Sequence, residues 1–249
     1  MPDVEMVKCK LNGKFNIILP KHRADRPEWY TPQGWEKPRL ESIHRNTKKG
    51  DVVYYVGAEE GDMCALTAVW GADLVMFEPN PKVSPNIRVI WEANKLPMPI
   101  AYFEGFAANV TDLKPEFVEG NPLTIGAFPE SAKGEVIGNH GFKELAYEFD
   151  VIPQIKIDDM VERTGKVPTM ITMDVEGSEF EVLKGAEQTL RNHKPLIYLS
   201  LHPEFLWRMF EVYGYDVRHW IMDLGYEEKL LDYQHEVHFA YYPVGTELK

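Results

Sequence analysis

The pattern of hydrophobic and polar positions changes period along the chain, and each change predicts a different element. From Val4 to Leu19, apolar and polar residues alternate on both sides of Asn12-Gly13, a dipeptide that favours a tight two-residue hairpin turn. Apolar residues at helical spacing follow from Trp35 to Lys48. The pattern therefore predicts an extension over residues 1–50 that consists of a short hairpin and a helix.

From residue 51, short β-branched and aromatic runs alternate with segments of helical spacing. The predicted strands are Val52–Val56, Leu74–Phe77, Ile100–Phe106, Thr169–Met173, Leu196–Leu201, and two near Glu228–Leu231 and Val237–Tyr242. The predicted helices are Asp62–Trp70, Ile87–Asn94, Asp158–Arg163, Glu179–Arg191, Glu204–Tyr213 and Val217–Leu224. The stretch 105–150 is the least periodic, and its many glycines favour loops and an extra hairpin.

Alternating strands and helices indicate an α/β fold with a mainly parallel sheet covered by helices on both faces. The last two strands are placed to pair antiparallel. Over the 249 residues no shift in composition marks a linker. We therefore expect a single domain over 1–249, with a Rossmann-like core over 51–249.

The charge balance narrows the classes of partner. The chain has 27 Lys and Arg against 39 Asp and Glu, a formal net charge of −12, and an acidic surface disfavours nucleic acids and anionic membranes. No run approaches the ~18 apolar residues that a membrane span needs, and two cysteines are few for a disulfide framework. We expect a soluble cytoplasmic protein that acts on a small molecule or glycan, and the sequence leaves its oligomeric state open.

The loop after the first strand of the core is a candidate cofactor site. In such sheets ligands bind beyond the carboxyl ends of the strands, and here Gly57 and Gly61 allow the backbone to approach a ligand closely. Glu78 ends the next predicted strand, where an acidic side chain can accept both hydroxyls of a ribose. A plain turn between strand and helix, with Glu78 solvated, is the alternative for the loop alone.

The charge of this loop bears on which cofactor would fit. Glu59, Glu60 and Asp62 surround the helix N-terminus where a dinucleotide would place its pyrophosphate, and such an anion is disfavoured there. A cofactor with a ribose, no phosphate and a positive centre fits better. S-adenosylmethionine meets that description.

A second group of polar residues follows the strand at Thr169–Met173. Asp174 ends the strand, with Glu176 and Glu179 just beyond, and His202 holds the equivalent position after the next strand. Either Asp174 or His202 could remove the proton of an acceptor hydroxyl, with the two glutamates positioning the acceptor or the base. Two alternatives stay open: the carboxylates bind Mg²⁺, or His202 is a structural histidine.

The extension carries a cluster of basic residues, made up of Lys21, His22, Arg23 and Arg26. A basic cluster of this kind either contacts an anionic ligand or is a solvated connector. In an otherwise acidic chain the pattern favours the connector.

Several motifs together resemble the FkbM family of S-adenosylmethionine-dependent methyltransferases. They are GDVVYYVGAEEG from Gly50, FEPNP from Phe77, NVTD from Asn109, KIDD from Lys156, MDVEGSEFEVLKGA from Met173 and LHPE from Leu201. The resemblance implies a class I methyltransferase sheet of seven strands, the last antiparallel, and methyl transfer to a hydroxyl of a sugar, glycan or natural product. It also implies that Asn109 and Asp112 lie beside the adenine.

The complete set of expected cofactor-binding residues follows from the loop pattern and this resemblance. It comprises Tyr55, Gly57, Ala58, Glu59, Gly61, Glu78, Pro79, Asn80, Asn109, Asp112 and Asp174. The expected catalytic residues are Asp174, His202, Glu176 and Glu179.

The chain departs from the family pattern at three positions. Tyr55 replaces an acid, Thr172 replaces a lysine, and Ser200 replaces a frequent acid ahead of His202. These departures raise the alternative of a noncatalytic binding protein on the same fold. A nicotinamide-dependent oxidoreductase is a further alternative, although the third glycine of its usual fingerprint is missing.

Overall fold

A computed structural model describes residues 4–117, 120–137, 151–233 and 236–249. The strands in chain order, β1 to β12, are Met6–Leu11, Phe15–Pro20, Val52–Val56, Asp73–Phe77, Ala101–Phe103, Phe106–Ala107, Leu123–Ile125, Gln154–Ile155, Met170–Met173, Leu196–Leu201, Tyr226–Tyr233 and Val237–Pro243. The helices α1 to α9 are Lys21–Ala24, Lys37–Asn46, Asp62–Val69, Ser84–Asn94, Ile157–Thr164, Glu179–Lys184, Glu187–His193, Pro203–Phe210 and Gly214–Asp223.

The central sheet confirms the predicted α/β architecture and differs in strand number. In the described residues it has eight strands in the order β11-β12-β10-β9-β3-β4-β5-β7, where seven were expected. The five strands from β10 to β5 are mutually parallel. β12 runs antiparallel to both neighbours, as expected of the last strand. The additional strand is β7, which pairs antiparallel with β5 and comes from the unperiodic stretch, of which residues 138–150 lie outside the described part.

The parallel part of the sheet is buried on both faces, and β3 at its centre shows why. Tyr54 and Val56 contribute to one apolar core, while Val53 and Tyr55 contribute to the core on the opposite face. Successive side chains of a strand point to opposite faces. A strand covered on both sides therefore appears in the sequence as a continuous apolar run rather than an alternating one.

The extension packs against the core. Asn12 and Gly13 both have positive φ, of 52° and 67°, and Leu11 pairs with Phe15 across a three-residue turn, one residue longer than predicted. The side-chain amide of Asn94 in α4 bonds the backbone N–H and C=O of Ile18 at 2.9 and 2.7 Å. These hydrogen bonds connect β2 of the extension directly to α4, a helix of the core.

Two predicted elements are each divided in two. Instead of one helix over Glu179–Arg191, α6 and α7 are separated at Gly185, where a Cβ would lie 1.9 Å from the carbonyl oxygen of Ala108. The predicted strand Ile100–Phe106 is interrupted between β5 and β6. Among the described helices, each is too short or too polar to cross a bilayer.

Candidate active site

A cavity of about 460 Å³ opens at the carboxyl ends of the parallel strands. Its walls come from the ends of β3, β4 and β9, from β6 and from α8. The lining residues are Val56, Gly57, Glu59, Phe77, Glu78, Pro79, Gly105, Phe106, Ala107, Asp174, Val175, Glu176, Ser178, Phe205 and Met209. The site thus lies where ligands bind in open α/β sheets.

Gly57 forms the floor of this cavity because β3 and β9 approach each other closely there. Its φ is +83°, and a Cβ would lie 2.0 Å from the carbonyl oxygen of Asp174. Its backbone N–H donates to the carbonyl of Phe77 at 3.0 Å. Only glycine fits this position without backbone movement, and the bare backbone leaves room for a ligand.

The carboxylate of Glu78 is fixed by hydrogen bonds from two backbone N–H groups. One carboxylate oxygen accepts the N–H of Glu59 at 2.8 Å, and the other accepts the N–H of Asn80 at 2.9 Å. Burial raises the pKa of Glu78 to about 8, although these two hydrogen bonds oppose the shift. Each oxygen retains a further lone pair, so the carboxylate is fixed beside the cavity and can still accept two hydroxyl donors.

On the other side of the cavity, four carboxylates surround His202. Nδ1 lies 2.7 Å from Glu179 Oε1, and Nε2 lies 2.7 Å from Glu236 Oε2. Asp174 and Glu176 approach Nε2 at 3.6 and 3.5 Å. Of these residues only Asp174 and Glu176 line the cavity, so His202 sits behind them.

This arrangement determines the charge of His202. Burial opposes protonation, but the hydrogen bonds to Glu179 and Glu236 and the charge of Asp174 outweigh it and raise the pKa of His202 to about 11. Each ring nitrogen faces a carboxylate oxygen, and the protonated imidazole has an N–H to donate at both positions. His202 is therefore an imidazolium at neutral pH. Of the two candidate bases, Asp174 fits the geometry better.

The extension reaches beneath this site through α2. The guanidinium of Arg39, which is 1% exposed, donates to Thr172 Oγ1 at 3.0 Å and to a carboxylate oxygen of Glu36. Its Nη1 also lies 3.7 Å from Asp174 Oδ2. A side chain outside the predicted core thus contacts the strand that ends in the candidate base.

The basic cluster in the extension is partly buried, which corrects the prediction of a solvated connector. Arg23 is 5% exposed and donates to Asp62 at 2.9 and 2.6 Å and to Glu60 at 3.2 Å. His22 Nε2 lies 2.6 Å from Glu60. Glu60 and Asp62 are therefore hydrogen-bonded to the extension. Glu59 lies 3.9 Å from Arg23, but its side chain is 62% exposed and lines the cavity.

The expected cofactor residues divide into three groups. Gly57, Glu59, Glu78, Pro79 and Asp174 line the cavity. Tyr55 in β3 and Ala58, Gly61 and Asn80 in the surrounding loops are not part of the lining. Asn109 lines an adjoining cavity of about 400 Å³, which shares four lining residues with the first, and Asp112 lines neither and pairs with Lys114 at 2.7 Å.

Sequence patterns missed several residues of the site. Gly105, Phe106 and Ala107 complete the wall beyond β5, and Phe205 and Met209 form a partly exposed apolar wall on α8. The helical spacing on α8 was a usable signal for an apolar face, but it does not tell a cavity wall from core packing. Arg39 and Glu236 had no signal, since neither belongs to a recognisable motif.

Two sets of side chains among the described residues have the geometry to surround a cation. One ligand atom from each of Asp174, His202 and Glu236 lies within 4.8 Å of the others, and the same holds for Glu36, Glu236 and His238. In the first set the imidazolium of His202 already supplies a positive charge. In the second set Glu36 is paired with Arg39. We therefore infer that His202 in the first set and Arg39 beside the second supply the positive charge in place of a metal ion.

Comparisons with known proteins agree with this geometry. The model of the family described as Methyltransferase FkbM domain matches residues 51–228. An FkbM methyltransferase from Methylobacillus flagellatus KT is 18% identical, with a TM-score of 0.52, and the alignment covers 78% of this chain and 44% of that one. The present chain therefore spans less than half of that relative. This structural likeness confirms the methyltransferase fold.

Other structures align more weakly. A precorrin-6y C5,15-methyltransferase from Geobacter metallireducens GS-15 is 10% identical, with a TM-score of 0.44 over 83% of this chain and 86% of that one. Streptococcus pneumoniae Sp1610, a putative tRNA (m1A22) methyltransferase in complex with S-adenosyl-L-methionine, is 13% identical, with a TM-score of 0.39 over 85% and 74%. A search of curated proteins finds no significant match.

Proposed function

Since the chain belongs to the FkbM methyltransferase family, we propose that it transfers the methyl group of S-adenosylmethionine to a hydroxyl of a sugar, glycan or small natural product. Family membership supports methyltransferase activity, and the donor and the acceptor are our proposal. The observation that carries it is the cavity lined by Gly57, Glu78 and Asp174 together.

The residues present fit S-adenosylmethionine. Gly57 offers bare backbone where any Cβ would clash, and Glu78 offers two fixed acceptor oxygens, as a ribose diol requires. Hydroxyl donors would favour the ionised form of Glu78. Pro79, Phe106 and Ala107 supply an apolar wall on the same side, which suits a flat purine.

Charge also supports a cationic donor. Glu59, Asp174 and Glu176 line the cavity, whereas the acids of the loop that face the extension are paired with Arg23. When bound, S-adenosylmethionine supplies a methyl group on a positively charged sulfur. The acidic wall would attract that cation and would disfavour a pyrophosphate, which argues against a nicotinamide cofactor.

Asp174 is the residue that we propose takes the proton of the acceptor hydroxyl. Asp174 lines the cavity, and the surrounding protein shields much of its carboxyl group from water. This desolvation raises the pKa of Asp174 well above its ordinary value. A raised pKa makes a carboxylate a stronger base near neutral pH. Glu176 lies beside it on the exposed rim, where it can position the acceptor, and His202 with Glu179 holds the group together from behind.

The reaction that we propose needs no metal. Mg²⁺ at Asp174 and Glu236 would compete with the proton that His202 shares with these groups. We expect methyl transfer to continue in EDTA and to be unaffected by added Mg²⁺. We further propose a cytoplasmic site of action, in keeping with the free thiols of Cys9 and Cys64.

Calorimetric titration with S-adenosylmethionine tests the donor. We expect one binding site, and Glu78→Gln should weaken binding by roughly 10-fold to 100-fold, because a hydrogen bond to a charged group contributes about 1.5–3 kcal/mol. The matched control is Glu162→Gln, at an exposed position on α5, which should bind as the native protein does. Tight binding of NADH without binding of S-adenosylmethionine would overturn the proposal.

Transfer of a labelled methyl group to a panel of monosaccharides, methyl glycosides and phenolic glycosides tests the acceptor. Loss of transfer in Asp174→Asn, with donor binding retained, supports the role of Asp174. A protein that binds the donor and methylates no hydroxyl compound in the panel would favour the noncatalytic alternative.

A further inference from the structure

Arg39 lies outside the region that the family model matches, which starts at residue 51, yet it is among the most buried side chains of the protein. It belongs to α2 in the extension. Burying a guanidinium carries a large desolvation cost unless its partners compensate for it. Its partners therefore indicate its role.

Those partners connect Arg39 to the end of β9. Nη2 donates to Thr172 Oγ1 at 3.0 Å, two residues before Asp174 on the same face of the strand. Nη1 lies between two carboxylates, the adjacent Glu36 and Asp174 Oδ2 at 3.7 Å. One side chain thus fixes both the strand and the electrostatic environment of the carboxylate that ends it.

We propose that Arg39 is a positioning residue for Asp174, so that a helix outside the family region completes the donor cavity by holding this carboxylate in place and favouring its ionised form. The inference rests on the proposed function, because it assigns Asp174 to the site that binds S-adenosylmethionine. Arg39 itself does not line the cavity and acts through Asp174.

The other charges around Asp174 define how strong this effect should be. Desolvation makes the largest contribution and raises the pKa of Asp174. Among the neighbouring charges, Arg39 lowers this pKa most strongly and His202 also lowers it, whereas Glu236 and Glu36 raise it. Glu176 faces the same imidazolium from the rim. On the other side of Arg39, the buried phenol of Tyr55 has a pKa well above its ordinary value because of desolvation and is neutral.

Arg39→Met tests the proposal by removing the charge with a side chain of similar length. Without the guanidinium, the pKa of Asp174 should rise further, so that a larger fraction of the carboxyl is protonated before binding and releases its proton when the cationic donor arrives. Calorimetry with S-adenosylmethionine in two buffers of different ionisation enthalpy measures the protons released. We expect increased release, about tenfold weaker binding at pH 7, and a smaller loss of affinity as the pH rises.

Two variants separate positioning from a structural role. Arg39→Lys keeps the charge and should restore native proton release. In an Asp174→Asn background, Arg39→Met should cause no additional proton release. Weakening that is equal at every pH and persists in the Asp174→Asn background would overturn the proposal, because it would show that Arg39 acts only on folding.

Glu36→Gln gives a test of opposite sign that does not depend on the folding of Arg39→Met. It removes the carboxylate that competes for the guanidinium and leaves a side chain of the same shape. We expect fewer protons released than in the native protein. An unchanged or increased release would contradict the proposal.

The same measurements distinguish a failure of the proposed function from a failure of the role assigned to Arg39. If the native protein does not bind S-adenosylmethionine, the proposed function fails. If the native protein binds it and proton release is insensitive to Arg39 and Glu36, the role of Arg39 fails alone.

Discussion

The two sides of the cavity are built in different ways. The donor side, which consists of the loop 57–61 and Glu78, is held by hydrogen bonds from backbone N–H groups to a side chain: Glu78 accepts those of Glu59 in the loop and of Asn80 two residues on. The charged side, which consists of Asp174, His202 and the side chains around them, is held by ion pairs between side chains. Its members reach from Arg39 to Glu236 in the sequence.

The two sides differ in how many separate segments of the sequence are needed to specify their geometry. To fix a carboxylate by backbone N–H groups, the sequence has to supply only a glycine turn and an acid at the right spacing. A short motif therefore specifies this side of the cavity. A buried imidazolium needs carboxylates on several separate elements, and each is costly without the others. The donor side should therefore respond to mutations one residue at a time, and the charged side as a unit.

The largest effect should follow from His202→Gln. Glu179 and Glu236 would lose their cation while remaining buried, and breaking a buried ion pair costs about 3–5 kcal/mol of unfolding free energy. Chemical denaturation at pH 7 measures this loss. The exposed His219→Gln is the control and should stay within about 0.5 kcal/mol of the native protein.

The pH dependence of this loss tests whether charge is the cause. The folded protein raises the pKa of His202 from 6.5 to about 11, so the stabilisation should be complete below pH 6.5 and should be lost as the pH rises towards 11. The difference between the native protein and His202→Gln should shrink across that range. A constant difference would mean that His202 contributes through packing, and the two sides of the cavity would then differ less than we infer.

The contrast explains how far the sequence could predict the molecule. β3 and β10 were predicted with their observed bounds, since each is a continuous apolar run, and Glu78 was identified from its spacing to Gly57. Arg39 could not be identified, because its helix is polar on average and its two partners on the β9 side, Thr172 and Asp174, are more than a hundred residues away. Thr172, where the resemblance led us to expect a lysine, accepts the hydrogen bond from this arginine.

The next effect concerns the donor side and compares two glycines. Gly57→Ala would place a Cβ against the carbonyl oxygen of Asp174, whereas Gly13, with φ of +67°, has nothing within 4 Å. Both variants incur about 1–2 kcal/mol for the left-handed conformation, and only Gly57→Ala adds about 1–3 kcal/mol for the clash. Denaturation of both variants isolates the second contribution.

Donor binding extends the same comparison. Gly57→Ala should also lose measurable binding of S-adenosylmethionine, while Gly13→Ala should bind normally. Equal stability of the two variants would mean that β9 can move away from β3, and that the cavity floor is less rigid than its backbone hydrogen bonds indicate.

The smallest effect tests how far the donor side extends. Asn109 lines the adjoining cavity and Asp112 does not, although the resemblance assigned both to the adenine. Asn109→Ala should weaken binding of S-adenosylmethionine by about 2-fold to 10-fold, as expected for one neutral hydrogen bond, and Asp112→Asn should stay within about twofold. Calorimetry on the pair decides the matter. Equal losses would extend the donor side to Asp112 and would require its exposed carboxylate to leave Lys114, whereas the expected inequality would end the donor side at the adjoining cavity.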